Sequence, residues 1–171
     1  FTGRLYVNQP FGIYETKKEM QVALDFADIN QGQYGLSLIH RNSPSYHYKD
    51  GILSICLTRG RPFVVGNQNY KYSIYTHKDD PFVSDEFNVA KSVNTPYIVY
   101  WPGKQAEGQS EKFSFLKVDK PNIVLSALYS GENTILVRFY ERSGKATSAS
   151  IDFPYLKTAE IERIKLNGEE V

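Results

Sequence analysis

Arg59 is the charged side chain in this sequence with the clearest potential to bind a ligand. It follows the apolar run at residues 52–58 and precedes Gly60-Arg61-Pro62, where a strand must end because proline cannot continue a central ladder. A guanidinium at the rim of a sheet can donate planar, directional hydrogen bonds. The alternative is a structural arginine that pairs with a loop carbonyl or carboxylate, and the residue pattern alone favours this alternative.

The three histidines do not have the spacing of a metal site. His40, His47 and His77 have no second His, Cys, Asp or Glu at a separation such as that of the HxH or HExxH motifs. We therefore predict that the chain holds no metal ion. We also predict that each histidine lies on a strand surface or forms hydrogen bonds in a loop.

The other reactive side chains do not form a catalytic constellation either. Cys56 lies within an apolar run, which predicts a small core residue. The sequence has no GxSxG elbow and no glycine-rich phosphate loop. Adjacent carboxylates on a strand point to opposite faces, so we interpret three acidic pairs as solvated charges at a turn, a helix start and the end of the chain: Asp79-Asp80, Asp85-Glu86 and Glu169-Glu170. We predict no catalytic residue in this chain.

Most of the candidate residues, including the histidines, Cys56 and Arg59, lie on or beside predicted strands. Asp50-Gly51 between two apolar runs predicts a hairpin, whereas residues 11–19 and 28–33 have the chemistry of a loop and a turn. Alternating or apolar runs predict strands, the first of them at a sheet edge, at residues 5–7, 20–26, 34–39, 52–58, 70–77, 97–101, 112–118, 123–129, 135–141, 146–153 and 159–166.

One short helix is predicted at about residues 84–92, where Ser84 can cap the first turn. About ten antiparallel strands with one short helix predict an all-β fold. The fold is a β-sandwich or two packed β sub-domains with a hinge near residues 102–111, which form the longest polar stretch. Asn167-Gly168 has the pattern of a hairpin turn without a return strand, so we expect the chain to belong to a longer protein.

The composition fits a folded domain that binds neither nucleic acid nor membrane. Hydrophobic residues make up 41% of the 171 residues, charged residues 23%, and the net charge is +1. This balance excludes disorder and gives no electrostatic attraction to anionic polymers or membranes. The single cysteine excludes a disulfide framework, and we expect a cytoplasmic location.

Aromatic residues are the most distinctive part of the composition. The sequence has 13 Tyr and 10 Phe, residue types that fit a pleated, half-buried sheet surface. Tyrosine also stacks on sugar rings. Sheet surface and core are the favoured explanation, and the alternative is a sugar-binding platform built from Tyr70, Tyr72, Tyr75 or Trp101.

An ordered series of motifs runs from about residue 20 to about residue 166. The segment LDFADINQGQYGLSLIHRNSPSYHYKDGILSICLTRGRP, followed by YKYSIYTHKDD and AKSVNTPYIV, resembles the region that follows the catalytic barrel in α-mannosidases of glycoside hydrolase family 38. His77 falls on the second histidine of the family's H-x-F-x-Y-x-L-x-P-H-x-G, and Asn94 on the asparagine of A-x-x-x-N-x-P-L. The first segment matches at Asp28, Tyr34-Gly35, Leu38, Tyr46, Tyr48, Gly51, Leu53, Leu57 and Arg59, with Pro62 just beyond.

The resemblance continues into the last third of the chain, with some departures. The tryptophan of the first motif is replaced by Phe26 or is absent, Thr76 replaces the proline before the second histidine, and the family's closing P-F-E-I-x-T strand is missing. The later segment resembles S-F-x-x-V-x-x-x-N-V-V-L-x-A-x-K and L-R-x-Y-E-x-x-G at Phe115, Val118, Asn122, Val124, Leu125, Ala127, Arg138, Tyr140, Glu141 and Gly144.

The resemblance implies the non-catalytic C-terminal β-domain of a retaining, zinc-dependent α-mannosidase. The zinc and both catalytic aspartates would lie in an N-terminal barrel absent from this chain, so the implied partners are that barrel and mannose-containing glycans. Arg59 would reach the substrate cleft, and His77 and Asn94 are weaker candidates that we expect to stabilise loops. The alternative is a stand-alone carbohydrate-binding or structural β-sandwich module.

Overall fold

The computed structural model describes residues 3–41, 44–58, 60, 66–101, 103, 112–156 and 160–165. In these residues the fold is all-β with one helix, as the sequence predicts. In chain order the elements are β1 (Arg4–Gln9), β2 (Gly12–Thr16), β3 (Met20–Val22), β4 (Phe26–Asn30), β5 (Tyr34–Arg41), β6 (Ser45–Lys49), β7 (Ile52–Ile55), β8 (Lys71–Lys78), α1 (Glu86–Asn94), β9 (Lys117–Val118), β10 (Ile123–Ser130), β11 (Ile135–Glu141) and β12 (Ile151–Asp152).

The chain divides into two compact units. The first comprises the described residues of Phe1–Trp101 and Asn122–Thr147, and the second those of Pro102–Pro121 and Ser148–Val171. The first unit contains a five-stranded antiparallel sheet in the order β2-β1-β4-β5-β8, a three-stranded sheet in the order β3-β6-β7, and the β10-β11 hairpin. The predicted hinge at residues 102–111 lies outside the described residues except for Gly103.

The five-stranded sheet buries a different core on each face because successive side chains alternate. On one face, Leu5, Val7, Ala27 and Leu38 pack with Tyr46 of the three-stranded sheet. On the other face the core joins the sheet to α1, with Val124 and Tyr140 of the hairpin packed against it, and its members are Tyr6, Ile13, Phe26, Ile39, Phe87 and Ala90. The sheet is therefore the middle layer of the first unit.

Helix α1 forms where apolar residues recur at helical spacing. Phe87 and Ala90 are buried against the sheet, and Val93 packs beside them. The helix begins two residues later than predicted, and its N-cap position is Asp85 rather than Ser84. The hydroxyl of Ser84 does not cap a backbone N–H but donates a hydrogen bond to the Glu86 carboxylate.

Several strand predictions are wrong in extent. The predicted loop at residues 11–19 contains β2, which makes β1 an interior strand rather than an edge. The run predicted at residues 20–26 is divided between two sheets. Its first residues form β3 of the three-stranded sheet, Phe26 begins β4 of the five-stranded sheet, and Leu24 between them is exposed. Residues 97–101 form no strand, and the described residues 160–165 form no extended strand. Alternation predicts strand propensity but does not supply a pairing partner.

The second unit is small among the residues that the structure describes. Its two short strands, β9 and β12, pair antiparallel, with Ile151 opposite Val118. They replace the longer strands predicted at 112–118 and 146–153. Phe115 and Phe153 meet edge to face with ring centroids 6.0 Å apart. In the described parts of both units, no helix has the length and apolar character needed to cross a membrane.

Candidate functional site

Three buried titratable side chains meet between the five-stranded sheet and the start of α1. They are Asp28 of β4, His77 of β8 and Glu86 of α1, and we call them the N-terminal anchor. Their ligand-type atoms all lie within 4.8 Å of one another. Nε2 of His77 is 3.0 Å from Oδ1 of Asp28 and 3.0 Å from Oε2 of Glu86. One imidazole nitrogen therefore faces two carboxylates.

Sheet register places the anchor residues on one face. Asp28 is opposite Ser37, and Gly35 is opposite His77, so all four positions face α1. Ser37 Oγ donates a 3.0 Å hydrogen bond to Oδ1 of Asp28. A Cβ atom added at Gly35 would overlap Cε1 and Nε2 of His77. The absence of a side chain at Gly35 therefore allows the imidazole to lie against the backbone of β5.

In the N-terminal anchor, the pKa values of Glu86 and His77 are both raised. Burial, with the nearby charge of Asp28, raises the pKa of Glu86 to about 8, although Ser84, His77 and Arg142 oppose this shift. Burial alone would lower the pKa of His77, but the hydrogen bond to Asp28 and the charges of Glu86 and Asp28 outweigh it and raise that pKa to about 8. Both shifts follow from placing two carboxylates beside one imidazole in a buried site.

The carboxylates of this anchor are only partly paired. Oδ2 of Asp28 and Oε1 of Glu86 are buried and have no hydrogen-bond partner among the described residues. Arg142 is the other positive group near Glu86, and its guanidinium lies over the Phe87 ring, 4.8 Å from the centroid. Nε and Nη1 of Arg142 also lack hydrogen-bond partners in the described part of the chain. Arg142 therefore compensates the charge of Glu86 through space rather than through these nitrogens.

A second carboxylate holds the other end of α1. Asp25 accepts hydrogen bonds from Asn94 Nδ2 at 2.8 Å, Lys91 Nζ at 2.9 Å and Asn8 Nδ2 at 2.9 Å. We call these four residues the C-terminal anchor. Burial would raise the pKa of Asp25, but these donors outweigh it and hold the pKa below its usual range. Both oxygens of this carboxylate are paired.

The structure locates two of the three residues that the resemblance singles out. His77 lies within β8 in the N-terminal anchor, and Asn94 is the last residue of α1 in the C-terminal anchor. Arg59 lies outside the described residues, as does Pro62. The predicted substrate-cleft role of Arg59 therefore stays a prediction.

Three predicted environments of side chains differ from those observed, and one agrees with the structure. Glu86 is buried rather than solvated because α1 packs its first turn onto the sheet. Cys56 is exposed rather than a core residue, since it lies beyond the end of β7. His40 is buried in β5 rather than on a strand surface. His47 is partly exposed on β6, 3.9 Å from Glu19, as predicted for a surface histidine.

The tyrosines of β8 do not share a face. Tyr72 is 58% exposed, whereas Tyr75 points to the opposite face and packs against the core that contains α1. Trp101 is 91% exposed and follows four other exposed aromatic or aliphatic residues, 97–100. A joint platform of Tyr72 and Tyr75 is therefore excluded by the strand geometry.

Sequence reasoning missed the grouping of the N-terminal anchor. Asp28 and His77 are 49 positions apart, and no short spacing motif can join them. Both residues belong to the motif series, and that membership is the only indication in the sequence that they could share a site. Comparison of the sequence with protein-family models and with curated proteins found no match. The α-mannosidase resemblance therefore depends on the motif residues themselves.

Proposed function

We propose that this chain is the non-catalytic C-terminal β-domain of a retaining, zinc-dependent α-mannosidase similar to glycoside hydrolase family 38. One observation carries the proposal, which is that motif residues from distant segments are partners of one another. Asp28, Gly35 and His77 belong to separate stretches of the motif series and meet in the N-terminal anchor. Residues that pair mutually in the interior support a scaffolding role rather than a catalytic one.

The last part of the motif series shows the same pairing. Asn122 Nδ2 donates to Oε1 of Glu141 at 2.7 Å and to Oγ1 of Thr147 at 2.7 Å. Glu141 also accepts from the backbone N–H groups of Ser143 and Lys145. Partial burial would raise the pKa of Glu141, but these donors lower it to about 2. The network ties the base of the β10-β11 hairpin to the segment that follows it.

An exposed apolar segment supports a large protein partner. The five side chains at residues 97–101 are between 80% and 97% exposed, and all are aromatic or aliphatic. Contiguous apolar exposure of this kind marks an interaction surface. In our proposal the partner is the enzyme's own catalytic barrel, which supplies the zinc and both catalytic aspartates. A cytoplasmic location belongs to the same proposal.

Activity measurements on two forms of the protein test this function. The isolated chain is expected to leave an aryl α-mannoside unhydrolysed, whereas the longer protein that contains it should hydrolyse the substrate with retention of configuration. An aryl α-glucoside serves as the substrate control, and the anomer formed first is identified by NMR. Turnover by the isolated chain would overturn the non-catalytic role, and inactivity of the longer protein would overturn the α-mannosidase assignment.

Arg59 gives a residue-level test of the same proposal. In the longer protein, Arg59→Ala should lower kcat/KM for the mannoside by about 10- to 100-fold, the value of a charge-assisted hydrogen bond. Arg138→Ala serves as a matched control, since it removes an arginine from β11. Unchanged kinetics in a folded Arg59→Ala enzyme would show that Arg59 is structural.

A stand-alone carbohydrate-binding module is the second candidate. Tyr72 and Trp101 are both largely exposed, and an exposed aromatic ring can stack on a sugar. Because Trp101 is the only tryptophan in the chain, its fluorescence reports on binding directly. Saturable quenching by mannose or mannobiose, abolished in Trp101→Ala, would favour this function over a scaffold.

A further inference from the structure

We propose that the N-terminal anchor is a divalent-cation site in which Asp28, His77 and Glu86 are the protein ligands and Zn²⁺ is the best-matched ion. The zinc that the resemblance assigns to the catalytic barrel is not part of this proposal. Its existence does not depend on the proposed function, because the argument uses only the geometry of the three side chains.

The distances within the anchor are close to those of a coordination shell. Nε2 of His77 is 3.0 Å from one oxygen of each carboxylate. In a tetrahedral zinc site with bonds of about 2.0–2.1 Å, neighbouring ligand atoms lie about 3.3–3.4 Å apart. The two distances from His77 to the carboxylates therefore need to grow by only a few tenths of an ångström to accommodate the ion, and the two carboxylate oxygens lie within 4.8 Å of each other.

The second nitrogen of His77 indicates the tautomer that a metal requires. Nδ1 lies 3.2 Å from the carbonyl oxygen of Lys78. Because a carbonyl only accepts hydrogen bonds, Nδ1 carries the proton in this contact. When Nε2 gives up its own proton, the ring is neutral and the lone pair of Nε2 is free to bind a metal. Metal-bound histidines commonly donate the other ring N–H to a backbone carbonyl in this way.

Unpaired carboxylate oxygens show that the anchor lacks positive charge or donors. The side chains of His77, Asp28 and Glu86 are 3%, 0% and 0% exposed, so water does not solvate them freely. A single Nε2 proton cannot satisfy two carboxylates, and Oδ2 of Asp28 and Oε1 of Glu86 have no partner among the described residues. Burying two carboxylates with so few donors is unfavourable, and a cation bound by both would reduce the cost of burying their charge.

A serine hydroxyl donates to the oxygen of each carboxylate that faces His77. Ser37 Oγ donates to Oδ1 of Asp28 at 3.0 Å, and Ser84 Oγ donates to Oε2 of Glu86. Hydrogen bonds of this kind fix the direction of ligand carboxylates in metal sites. One imidazole with two carboxylates suits Zn²⁺ better than Mg²⁺, which prefers an all-oxygen octahedral shell.

In the alternative to a metal site, the anchor is balanced by protonated side chains rather than by a metal ion. In it, His77 is an imidazolium between Asp28 and Glu86, and Arg142 supplies the second positive charge near Glu86. The two arrangements differ in zinc content, so a direct measurement of bound metal separates them.

Zinc retention after refolding is the test. Because the site is buried, the chain is unfolded in guanidinium, refolded with one equivalent of Zn²⁺, with Mg²⁺ or with EDTA, and dialysed before its metal is measured. All samples carry Cys56→Ser, since the exposed thiol of Cys56 is an adventitious zinc ligand. We expect about one zinc per chain and, at a free zinc concentration one hundred times Kd, a rise in Tm of about 5–10 °C that Mg²⁺ does not produce.

Substitutions then locate the metal. Glu86→Gln and His77→Gln should each lower the retained zinc at least tenfold, whereas Asp25→Asn, which alters a buried carboxylate of the other anchor, should retain it. Equal zinc retention in Glu86→Gln, His77→Gln and the parent would overturn the proposal. Less than a tenth of an equivalent in the folded parent would overturn it as well, and would favour the protonated arrangement.

X-ray absorption at the zinc edge keeps the test valid if a ligand variant fails to fold. The zinc-loaded Cys56→Ser protein should show nitrogen and oxygen neighbours at about 2.0–2.1 Å, with the outer-shell scattering of one imidazole. A shell of six oxygens without imidazole scattering would identify an adventitious ion and overturn the proposal.

Discussion

Helix α1 is held to the five-stranded sheet at both ends, and a buried aspartate takes part at each end. At the C-terminal anchor, Asp25 accepts from Asn8, Lys91 and Asn94, and both of its oxygens are paired. At the N-terminal anchor, Asp28 and a second acid share one imidazole nitrogen, and each acid has one oxygen without a partner in the described part of the chain. Both aspartate side chains are largely buried, with 12% of Asp25 and 0% of Asp28 exposed, and they also differ in the number of donors that reach them.

Burial alone does not decide whether a carboxylate stabilises or destabilises the fold. A buried carboxylate with a full set of donors stabilises the contact between helix and sheet. A buried carboxylate without them has to acquire a proton or a cation. Burial and the nearby charge of Asp28 raise the pKa of Glu86, whereas three donors outweigh burial and lower the pKa of Asp25. Five experiments, in order of decreasing expected effect, test this contrast between the anchors.

Gly35→Ala should be the most destabilising change. An added Cβ would overlap the imidazole of His77 and lie 2.7 Å from Nδ2 of Asn30. The ring has little room to move because it is packed beside Asp28, so we expect a loss of about 3 kcal/mol in the free energy of unfolding. Urea denaturation measures this loss. Gly103→Ala is the control, because no atom of the described residues lies within 4 Å of its added Cβ. Equal losses in both variants would show that His77 is not held against β5.

Asp25→Asn should destabilise the protein by about 2 kcal/mol at neutral pH, because it removes an anion that accepts hydrogen bonds from three side chains. The measurement is urea denaturation at pH 7 in EDTA. A loss below about 0.5 kcal/mol would mean that the amide oxygen replaces the carboxylate fully, and that donor number does not distinguish the anchors.

The contribution of Asp25 should depend on pH. Its pKa in the folded protein lies below the ordinary value of 3.8, so the unfolded chain binds the proton more readily. The stability that this carboxylate supplies is therefore complete above pH 3.8 and is lost as the pH falls through the lower folded value. The difference in unfolding free energy between the parent and Asp25→Asn should narrow as the pH is lowered from 6 toward 2. A difference that stays constant would contradict the assigned shift.

Lys91→Met should have a smaller effect, about 0.5–1 kcal/mol, because the lysine side chain is 46% exposed. Adding salt should reduce the difference between this variant and the parent, since solvent ions screen a half-exposed pair. Asn94→Ala provides the comparison, because it removes a neutral donor to the same carboxylate and its effect should not change with salt.

Glu86→Gln in the metal-free protein should have the smallest effect, within about 0.5 kcal/mol of the parent. The amide keeps the size of the side chain and is neutral, like the protonated form of Glu86 that its raised pKa of about 8 favours at neutral pH. Thermal and urea unfolding in EDTA, beside Asp25→Asn, provide the measurement. A loss as large as that of Asp25→Asn would mean that His77 and Arg142 already satisfy Glu86 and that the two anchors are equivalent.

Much of the sheet could be predicted from local pattern. The alternating runs at residues 34–39 and 70–77 became β5 and β8, and those at 123–129 and 135–141 became the β10-β11 hairpin. Asp50 and Gly51 have φ angles of 50° and 79°, the positive values of the two-residue turn that Asp-Gly predicts. These features depend on neighbouring residues only, which is why sequence reasoning found them.

The candidate site was accessible to sequence reasoning only in part. The motif series singles out His77 and Asn94, whereas local pattern predicts Asp28 in a turn and Glu86 at a solvated helix start. Asp28 lies inside β4, and its partner His77 is 49 positions away. No periodic pattern connects positions so far apart, because the connection is made by the pairing of β4 with β5 and of β5 with β8.

The sequence by itself determined the all-β class, the turn between β6 and β7, and the position of the single short helix. It also supplied the motif residues on which the α-mannosidase proposal depends. Tertiary structure alone decided that Glu86 is buried, that Cys56 is exposed and that one imidazole faces two carboxylates. The physical reason is that a period of two residues separates the faces of a strand but does not say what covers each face. Only the docking of α1 onto the sheet brought its first acidic side chain beside Asp28 and His77.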